Sequence, residues 1–285
     1  MKKMKIYSKL MFFACLFFAS TSYSQIKGKC IDEFGKAIPY VNISIKGKSI
    51  GTVSNMKGYF SFENSSVKEN DSLIFSHLNF EKKIIGISLK INKIQLESQV
   101  ESLEEITVSN KKRKSKEKIV GTKTKSGNVV LYFTSKNLGT EIGKIIKVRK
   151  NKVYELKNIQ FNITDFGYNS ATFRINFYNI TDGNIDLVKT NGTDNIVKIT
   201  KKGIVKLDLS NQYLTFENDF LASIEWIDFK NNENIEKENK VIMFSSTVFS
   251  GPFISRDNVN LKWNNKKLKY NIGLGIHLKV EKYSE

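Results

Sequence analysis

Few residues of this chain have the types and spacing that metal binding or catalysis needs. The sequence contains two histidines, His77 and His277, which are far apart in the chain. A catalytic zinc site uses three protein ligands, mostly His and Glu at short spacings, and neither HxxE nor HExxH occurs. No P-loop and no G-x-G-x-x-G turn marks a nucleotide site. We therefore predict no metal, no cofactor and no catalytic residue, and we interpret His77 as a structural side chain.

A pair of carboxylates could perform glycoside hydrolysis. Glu225 and Asp228 lie in the run SIEWID, where Trp226 has a ring that can stack on a sugar. Acids three positions apart on a strand point to opposite faces, so we expect both to cap solvated strand ends while Trp226 packs in the core. If the protein binds glycans instead, Trp226 and Trp263 are the candidate stacking platforms.

The chain is strongly basic, with 46 Lys and Arg against 28 Asp and Glu and a formal net charge of +18. A basic excess often indicates nucleic acid or anionic surfaces. Here we predict no nucleic-acid partner, because phosphate readers favour arginine and arginines are scarce. The richness in Lys, Asn and Ile together is typical of A/T-biased coding. The basic run at residues 111–118 predicts at most a peripheral membrane contact.

The N-terminus has the three parts of a secretory signal peptide. A lysine-rich start precedes the apolar run Leu10–Ala19 and small residues that end at Ser24. This pattern predicts a signal peptide at residues 1–24, cleaved before Gln25, and export to the periplasm or outer membrane. A membrane span needs about 20 apolar residues, so we do not expect a permanent anchor. Cleavage leaves Cys30 as the remaining cysteine, which we expect to be a small core residue.

Hydrophobic periodicity predicts an all-β protein of two β-sandwiches in tandem. Short stretches of alternating apolar and polar residues are broken by turn residues. We predict a seven-stranded sandwich at 25–98, a charged linker at 99–118 and a larger, jelly-roll-like sandwich at 119–285, and we expect the sandwiches to unfold separately. The strands predicted in the first half are Ile26–Ile31, Val41–Ile45, Gly51–Ser54, Tyr59–Phe62, Ser72–Ser76, Lys82–Ile87 and Lys93–Leu96. Those in the second half are Val129–Phe133, Val153–Ile163, Thr172–Tyr178, Gly203–Leu209, Phe220–Asp228, Val241–Phe244 and Lys269–Val280.

The stretch GTVSNMKGYFSF, which begins at Gly51, has the pattern of a turn between two strands. Asn55 begins a four-residue turn in which its side chain can accept backbone hydrogen bonds. Gly58 at the last turn position tolerates a positive φ. We predict a hairpin in which Phe60 points into the core and Tyr59 points away from it.

The run GKCIDEFGKAIPYVNISIKGKSIGTVSNMKGYFSF, Gly28–Phe62, resembles the carboxypeptidase-regulatory-like domain. This family is a transthyretin-like sandwich that follows the catalytic domain of some metallocarboxypeptidases and precedes the plug of many TonB-dependent outer-membrane receptors. Later segments, Leu73–Ile85 and Leu103–Ser109, are similar to the family's strand-and-bend and closing segments. The residues that match the family pattern are Gly28, Asp32, Gly35, Pro39, Gly47, Gly51, Thr52, Gly58 and Phe60.

The resemblance implies a folding and interaction unit without catalytic activity, because no zinc-ligand motif accompanies it. We therefore expect a secreted, non-enzymatic protein of the cell envelope that binds an envelope protein or a glycan. Two alternatives stay open. The second sandwich could make the chain a glycan-binding or glycan-active protein, or the chain could be an accessory of a TonB-dependent uptake system.

Overall fold

We describe the protein from a computed structural model. The predicted signal peptide with Ser24, and residues 100–114 of the predicted linker, lie outside the described residues. Within the described part, the chain folds almost entirely into β-strands, with short 3-10 turns at Ser135–Asn137 and Ser210–Gln212, so the all-β prediction is confirmed. The structure describes residues 25–63, 67–68, 70–87, 93–99, 115–190, 193–234, 240–266 and 270–284.

The first module, residues 25–99, is a sandwich of two sheets. Its strands are β1 (Gln25–Ile31), β2 (Asn42–Ile45), β3 (Gly51–Val53), β4 (Tyr59–Glu63), β5 (Ser72–His77), β6 (Phe80–Gly86) and β7 (Lys93–Gln95). One sheet has the order β4-β1-β7 and the other β3-β2-β5-β6. The core between them contains Cys30, Phe60 and Phe75. Burial raises the pKa of the Cys30 thiol to about 12, as expected for a core cysteine.

The turn after β3 carries the chain from one sheet to the other, so the predicted hairpin is wrong. Strand β3 pairs with β2, whereas β4 pairs with β1. The turn chemistry itself is as predicted: Asn55 Oδ1 accepts hydrogen bonds from the backbone N–H groups of Lys57 and Tyr59 at 2.9 and 3.1 Å, and Gly58 has φ +78°. A Cβ at Gly58 would lie 2.6 Å from the Cys30 carbonyl oxygen, so this corner requires glycine. The same turn residues serve hairpins and sheet-to-sheet corners, which explains the error.

The second module, residues 115–284, is a larger sandwich. Its first sheet has the order β13-β12-β17-β10-β19-β20, with β14 beside β12. Its second sheet has the order β21-β18-β11-β22-β8, with β9 beside β18 and with β15 and β16 beside β11. The strands are β8 (Ser115–Gly121), β9 (Val130–Thr134), β10 (Glu141–Ile146), β11 (Lys152–Phe166), β12 (Tyr168–Thr181), β13 (Asn184–Ile185), β14 (Asn195–Ile199), β15 (Gly203–Asp208), β16 (Thr215–Phe216), β17 (Phe220–Asn231), β18 (Val241–Thr247), β19 (Phe253–Arg256), β20 (Asn264–Lys266), β21 (Gly273–Leu274) and β22 (Ile276–Ser284).

Aromatic rings fill the core between these two sheets. The rings of Phe133 and Trp226 are stacked with centroids 5.7 Å apart, and Phe133 meets Phe244 edge-on at 5.4 Å. All three side chains are buried. Full burial of one such side chain stabilises the fold by roughly 1.5–3 kcal/mol, so this layer fixes the sheet on which the site described below is built.

The second module begins earlier than the sequence predicts. Residues 115–118, assigned to the linker, form the first half of β8, where Lys118 pairs with Val280 of β22. Strand β8 ends its row of the sheet and its first residues are exposed, and an edge strand accommodates lysines on its solvent side. The remaining basic residues, 111–114, lie outside the described residues, so the membrane contact stays a prediction.

A glycine pair interrupts the last predicted strand. Strand β21 ends at Leu274, and β22 begins only after Gly275. A Cβ at Gly275 would lie 2.6 Å from the Ser245 carbonyl oxygen, so two backbone segments pass too closely for a side chain.

The two modules pack against each other. Tyr40 and Val53 of the first module form an apolar cluster with Ile227 of β17. Polar contacts join the same faces: Asn260 Nδ2 donates to Ser44 Oγ at 2.9 Å. The first module therefore covers one face of the β12–β17–β10 sheet, which becomes a buried interface.

Candidate functional site: a charged cleft between the modules

The side chains of β12 divide into an apolar set and a polar set. Phe173, Ile175 and Phe177 point into the core of the second module. Arg174 and its alternate neighbours Asn176 and Tyr178 occupy the opposite face, as the alternation of ATFRINFY predicts. All six side chains are almost completely buried; the first module contacts Arg174, whereas Tyr178 packs against Ile254 and Trp263 of the second module.

Arg174 is the centre of one half of this polar face. Its Nη1 lies 3.2 Å from Glu225 Oε1, and its Nε lies 3.0 Å from Asp194 Oδ1. Its Nη2 donates to the backbone carbonyl of Tyr40 at 2.9 Å, across the module boundary. The guanidinium therefore pairs two carboxylates of the second module while binding the backbone of the first.

Glu141 and Arg256 form the other half. Arg256 Nη2 lies 2.6 Å from Glu141 Oε2, and the Tyr178 hydroxyl donates to Glu141 Oε1 at 3.0 Å. Asn176 joins the halves, since its Nδ2 donates to Glu141 Oε1 at 2.8 Å and to Glu225 Oε2 at 2.9 Å. The result is one continuous network of buried charges and amides, which we call the polar network.

The charges of the polar network set the ionisation of its members. Burial alone would raise the pKa of Glu225, but Arg174, Lys189 and Asn176 outweigh burial and hold this pKa at about 2. Burial raises the pKa of Tyr178 well above its usual range, and the nearby Glu141 carboxylate raises it further. Glu225 is thus held as a carboxylate and Tyr178 as a phenol, which suits holding charges in place and not proton transfer.

His77 joins the network from the first module. Its Nδ1 accepts a hydrogen bond from the Asn79 backbone N–H at 3.2 Å, so the neutral ring carries its proton on Nε2, which faces Asp194 Oδ2 at 3.7 Å. Burial lowers the pKa of His77 to about 4, although Asp194 opposes this shift. The structural role predicted for His77 therefore consists of a contact between modules.

A cleft of about 200 Å³ opens above the polar network. Both modules contribute to its lining, and four of the lining side chains are Lys or Arg. Among the described residues, the lining includes no carboxylate, because the acids lie behind the cations that they pair. The lining residues are Asn42, Ser76, His77, Leu78, Lys82, Gln99, Arg174, Leu187, Val188, Lys189, Arg256, Val259 and Asn260.

Two larger grooves, of about 470 and 760 Å³, run beside the turn after β3. Their lining includes Thr52, Ser61 and Leu138 together with half-exposed Tyr59. The described lining of these grooves holds no buried ion pair, so we place the candidate site in the smaller, charged cleft.

The two predicted tryptophan platforms are not exposed rings. Trp226 is fully buried in the core and its Nε1 donates to the Asp228 carbonyl at 3.0 Å, so no sugar can stack on it. Trp263 is partly buried, with its ring 5.1 Å from that of Tyr178 and with the Arg256 guanidinium 4.2 Å from its ring centroid. Trp263 therefore supports the polar network from the side and is not a free platform.

The carboxylates Glu225 and Asp228 do not lie on opposite faces as expected. Glu225 pairs with Arg174 and Asp228 with Thr172, so Ile227 is an extra residue in a bulge that restores both acids to the same face. Glu225 is not at a solvated strand end but fully buried. Sequence alternation cannot reveal a bulge. The one indication that both acids share a face is that their partners on β12, Arg174 and Thr172, are both polar.

The run GKSIG, Gly47–Gly51, has the G-x-S-x-G spacing of a serine nucleophile elbow. It forms the exposed turn between the antiparallel strands β2 and β3, whereas an elbow joins a strand to a helix. Within the described ranges, no group of three or more His, Cys, Asp or Glu side chains is arranged to hold a metal ion. None of the described residues belongs to a helix with the length and apolarity that crossing a membrane requires.

The structure thus defines a class: two β-sandwiches that share a charged cleft. Residues 26–108 match the sequence family described as the CarboxypepD_reg-like domain, so the first module is a domain of this family, as the resemblance implies. The TonB-dependent receptor P39 of Formosa agariphila is 30% identical over 109 residues, which are 36% of this chain and 10% of that protein. The chain therefore spans about a tenth of the length of that relative.

Solved structures resemble the chain only distantly. The clostridial cysteine protease Cwp84, in its form after propeptide cleavage, aligns over 82% of this chain and 51% of its own at 10% identity and a TM-score of 0.40. A putative carbohydrate binding protein from Bacteroides uniformis aligns over 81% of this chain and 97% of its own at 12% identity and a TM-score of 0.20.

Proposed function

We propose that this chain is an exported, non-catalytic binding protein of the cell envelope that holds its ligand in the cleft between its two modules. One observation carries the proposal: both modules line the cleft, above cations that buried carboxylates hold in position. Binding sites are typically concave, largely formed before the ligand arrives, and supplied with a few fixed polar groups.

Two observations support the location in the envelope. The first module matches the CarboxypepD_reg-like family, and the chain is 30% identical over 109 residues to a TonB-dependent receptor. The N-terminus, residues 1–24, has the basic, apolar and small segments of a secretory signal. An accessory role in a TonB-dependent uptake system is compatible with both observations, and co-purification with outer-membrane receptors tests that role.

The state of the acids supports binding without catalysis. A glycosidase needs one protonated carboxylic acid near neutral pH. Glu225, with a pKa of about 2, is ionised, and Glu141 is fully occupied by Arg256, Tyr178 and Asn176. Glu225 therefore has no proton to donate to a leaving group near neutral pH.

A cleft-blocking variant tests the proposal. We expect the chain from residue 25 onward to bind ligands on an array of bacterial and algal glycans, and Leu187→Trp to abolish that binding, since Leu187 is half-exposed at the cleft. The matched control is Ile204→Trp, because Ile204 on β15 is also half-exposed and does not line the cleft. Absence of any bound glycan, or equal binding by both variants, would overturn the proposal.

A further inference from the structure

The ammonium group of Lys189 is poorly compensated for its depth. Its side chain is 14% exposed, and its one ion pair among the described residues is a contact of 3.6 Å with Glu225 Oε2. Within the same part of the chain, Lys189 Nζ has no hydrogen-bond acceptor, although an ammonium carries three donors. Burial lowers the pKa of Lys189, and the nearby Arg174 lowers it further. A buried cation in this condition is stabilised by any anion that reaches it.

The two arginines of the lining, Arg174 and Arg256, are already paired, but their carboxylate partners do not line the cleft. Glu225 and Asp194 occupy most of the Arg174 donors, and Glu141 occupies Arg256. These carboxylates approach from behind the cleft, so the surface that a ligand meets is cationic. Exposed Lys82 adds a further positive charge on the same lining.

The remaining lining suits a small molecule that carries hydroxyl groups. The amides of Gln99 and Asn260 face the cleft, and the Ser76 hydroxyl is buried there with no hydrogen-bond partner among the described residues. Leu187 and Val188 give the mouth an apolar edge. The volume of about 200 Å³ is below the roughly 300–1,000 Å³ of sites that enclose drug-sized ligands, so the cleft admits one small unit of a longer molecule.

We infer that the cleft binds a single acidic sugar unit, a uronic acid at the end of a glycan, with its carboxylate on the Lys189 ammonium. This inference rests on the proposed function and specifies its ligand class. The ring hydroxyls meet Gln99, Asn260 and Ser76, and Lys82 draws the anion to the mouth. A peptide with a free carboxyl terminus offers the same charge without the ring hydroxyls that Gln99, Asn260 and Ser76 would bind, and the test includes such a peptide.

Calorimetric titration of the chain from residue 25 onward with digalacturonate and with neutral galactobiose tests the inference. We expect the acidic disaccharide to bind at least about tenfold more tightly, the size of one charge-assisted contact. Lys189→Met should remove this preference, and Lys82→Met should weaken it about two- to threefold, because an exposed charge is screened. Lys36→Met is the control, because Lys36 is an exposed lysine outside the cleft, and it should change nothing.

The folded state of Lys189→Met is checked by its melting temperature, which we expect to be unchanged or higher, since a poorly paired buried ammonium is removed. Equal binding of both disaccharides, or a preference that survives in folded Lys189→Met, would overturn the inference. If the chain bound a neutral glycan and Leu187→Trp abolished that binding, the inference of an acidic sugar would be refuted, but the proposed function would stand. Binding of a peptide with a free carboxyl terminus, without binding of digalacturonate, would also refute it.

Discussion

The two faces of the β12–β17–β10 sheet are equally buried and chemically opposite. On one face, Phe173 and Trp226 pack in an apolar core. On the other, Arg174, Glu225 and Glu141 form the polar network beneath the first module. Burial on the first face needs only complementary shape, whereas burial on the second needs each charge to meet its partner.

The difference shows what each face specifies. Apolar packing holds the sandwich together and tolerates exchange of similar side chains. The polar network is directional, since Arg174 must reach the Tyr40 carbonyl and His77 must reach Asp194 for the modules to dock. The network therefore fixes the position of the first module and with it the shape of the cleft.

Removing one partner of the polar network should have the largest effect. Arg174→Met removes the guanidinium that pairs Glu225 and Asp194 and leaves Glu225 with only the 3.6 Å ion pair to Lys189 among the described residues, so we expect a loss of about 3–5 kcal/mol in the free energy of unfolding. Denaturant unfolding measures this loss.

The buried contacts between the modules also bear on cooperativity. The sequence predicts that the two sandwiches unfold separately, but with the modules packed together we expect the native chain to unfold in a single transition. Arg174→Met should separate the transitions of the two modules.

The double variant Arg174→Met/Glu225→Met sharpens the test. Replacing both members of a buried pair by apolar groups is often nearly neutral, so we expect much of the lost stability to return. Recovery of stability without recovery of ligand binding would show that the network serves the cleft. If Arg174→Met alone were as stable as the native chain, burial on the polar face would not require paired charges, and the proposed difference between the two faces would be wrong.

Lowering the pH should have the next largest effect, because two buried groups near the polar face have shifted pKa values. The folded pKa of His77, about 4, is below the unfolded value of 6.5, so the unfolded state alone takes up this proton and stability falls as pH drops from 6.5 to 4. Glu225, with a folded pKa of about 2 against 4.5, extends the loss below pH 4.5. Arg174 and Lys189 act on both groups, lowering the pKa of each, whereas Asp194 and Glu225 oppose the lowering of the His77 pKa.

Melting temperatures between pH 7.5 and 4 test this prediction. His77→Gln should flatten the upper part of the curve, because Gln does not titrate and keeps a polar contact towards Asp194. His277→Gln is the comparison variant outside the polar network; burial lowers the pKa of His277 too, so we expect it to flatten the curve as well, but to leave the contact between the modules intact. A pH slope unchanged by His77→Gln would assign acid sensitivity to other groups.

A change on the apolar face should have the smallest effect. Ile175 is fully buried and shares its face of β12 with Phe173 and Phe177. Ile175→Val removes a single methylene group. We expect a loss of about 0.5–1.5 kcal/mol, with the pH slope and ligand binding unchanged. Denaturant unfolding at two pH values distinguishes this outcome from an effect on the polar face.

Local pattern predicted the strands and the polarity of their faces. The strands of the first module match the predicted positions within about two residues, and ATFRINFY showed that Arg174 and Tyr178 share a face. Sequence alternation does not show that this polar face is covered, because the Arg174 side chain is covered by the first module, whose Tyr40 is 134 residues away in the chain. Contacts at that separation leave no periodic signal.

Two further errors have identifiable causes, a bulge in β17 and buried charged residues in β10. The bulge at Ile227 reverses the side on which Asp228 lies, and alternation carries no information about an inserted residue. Strand β10 was missed because Glu141 and Lys144 break its apolar pattern, although both side chains are buried in the structure. Both errors fall on strands that carry the polar network, where buried charged residues depart from the local pattern.

Strand β22 has a consequence for the order in which the protein matures. It lies between β11 and β8, pairing with both, and β8 is more than 150 residues earlier in the chain. β8 is therefore made long before the strand that joins it to its sheet, so the larger sandwich can close only once β22 has been made. The first module has all its strands far sooner and folds early. Until β22 arrives, the chain is a finished small domain followed by an open sheet with unpaired edges.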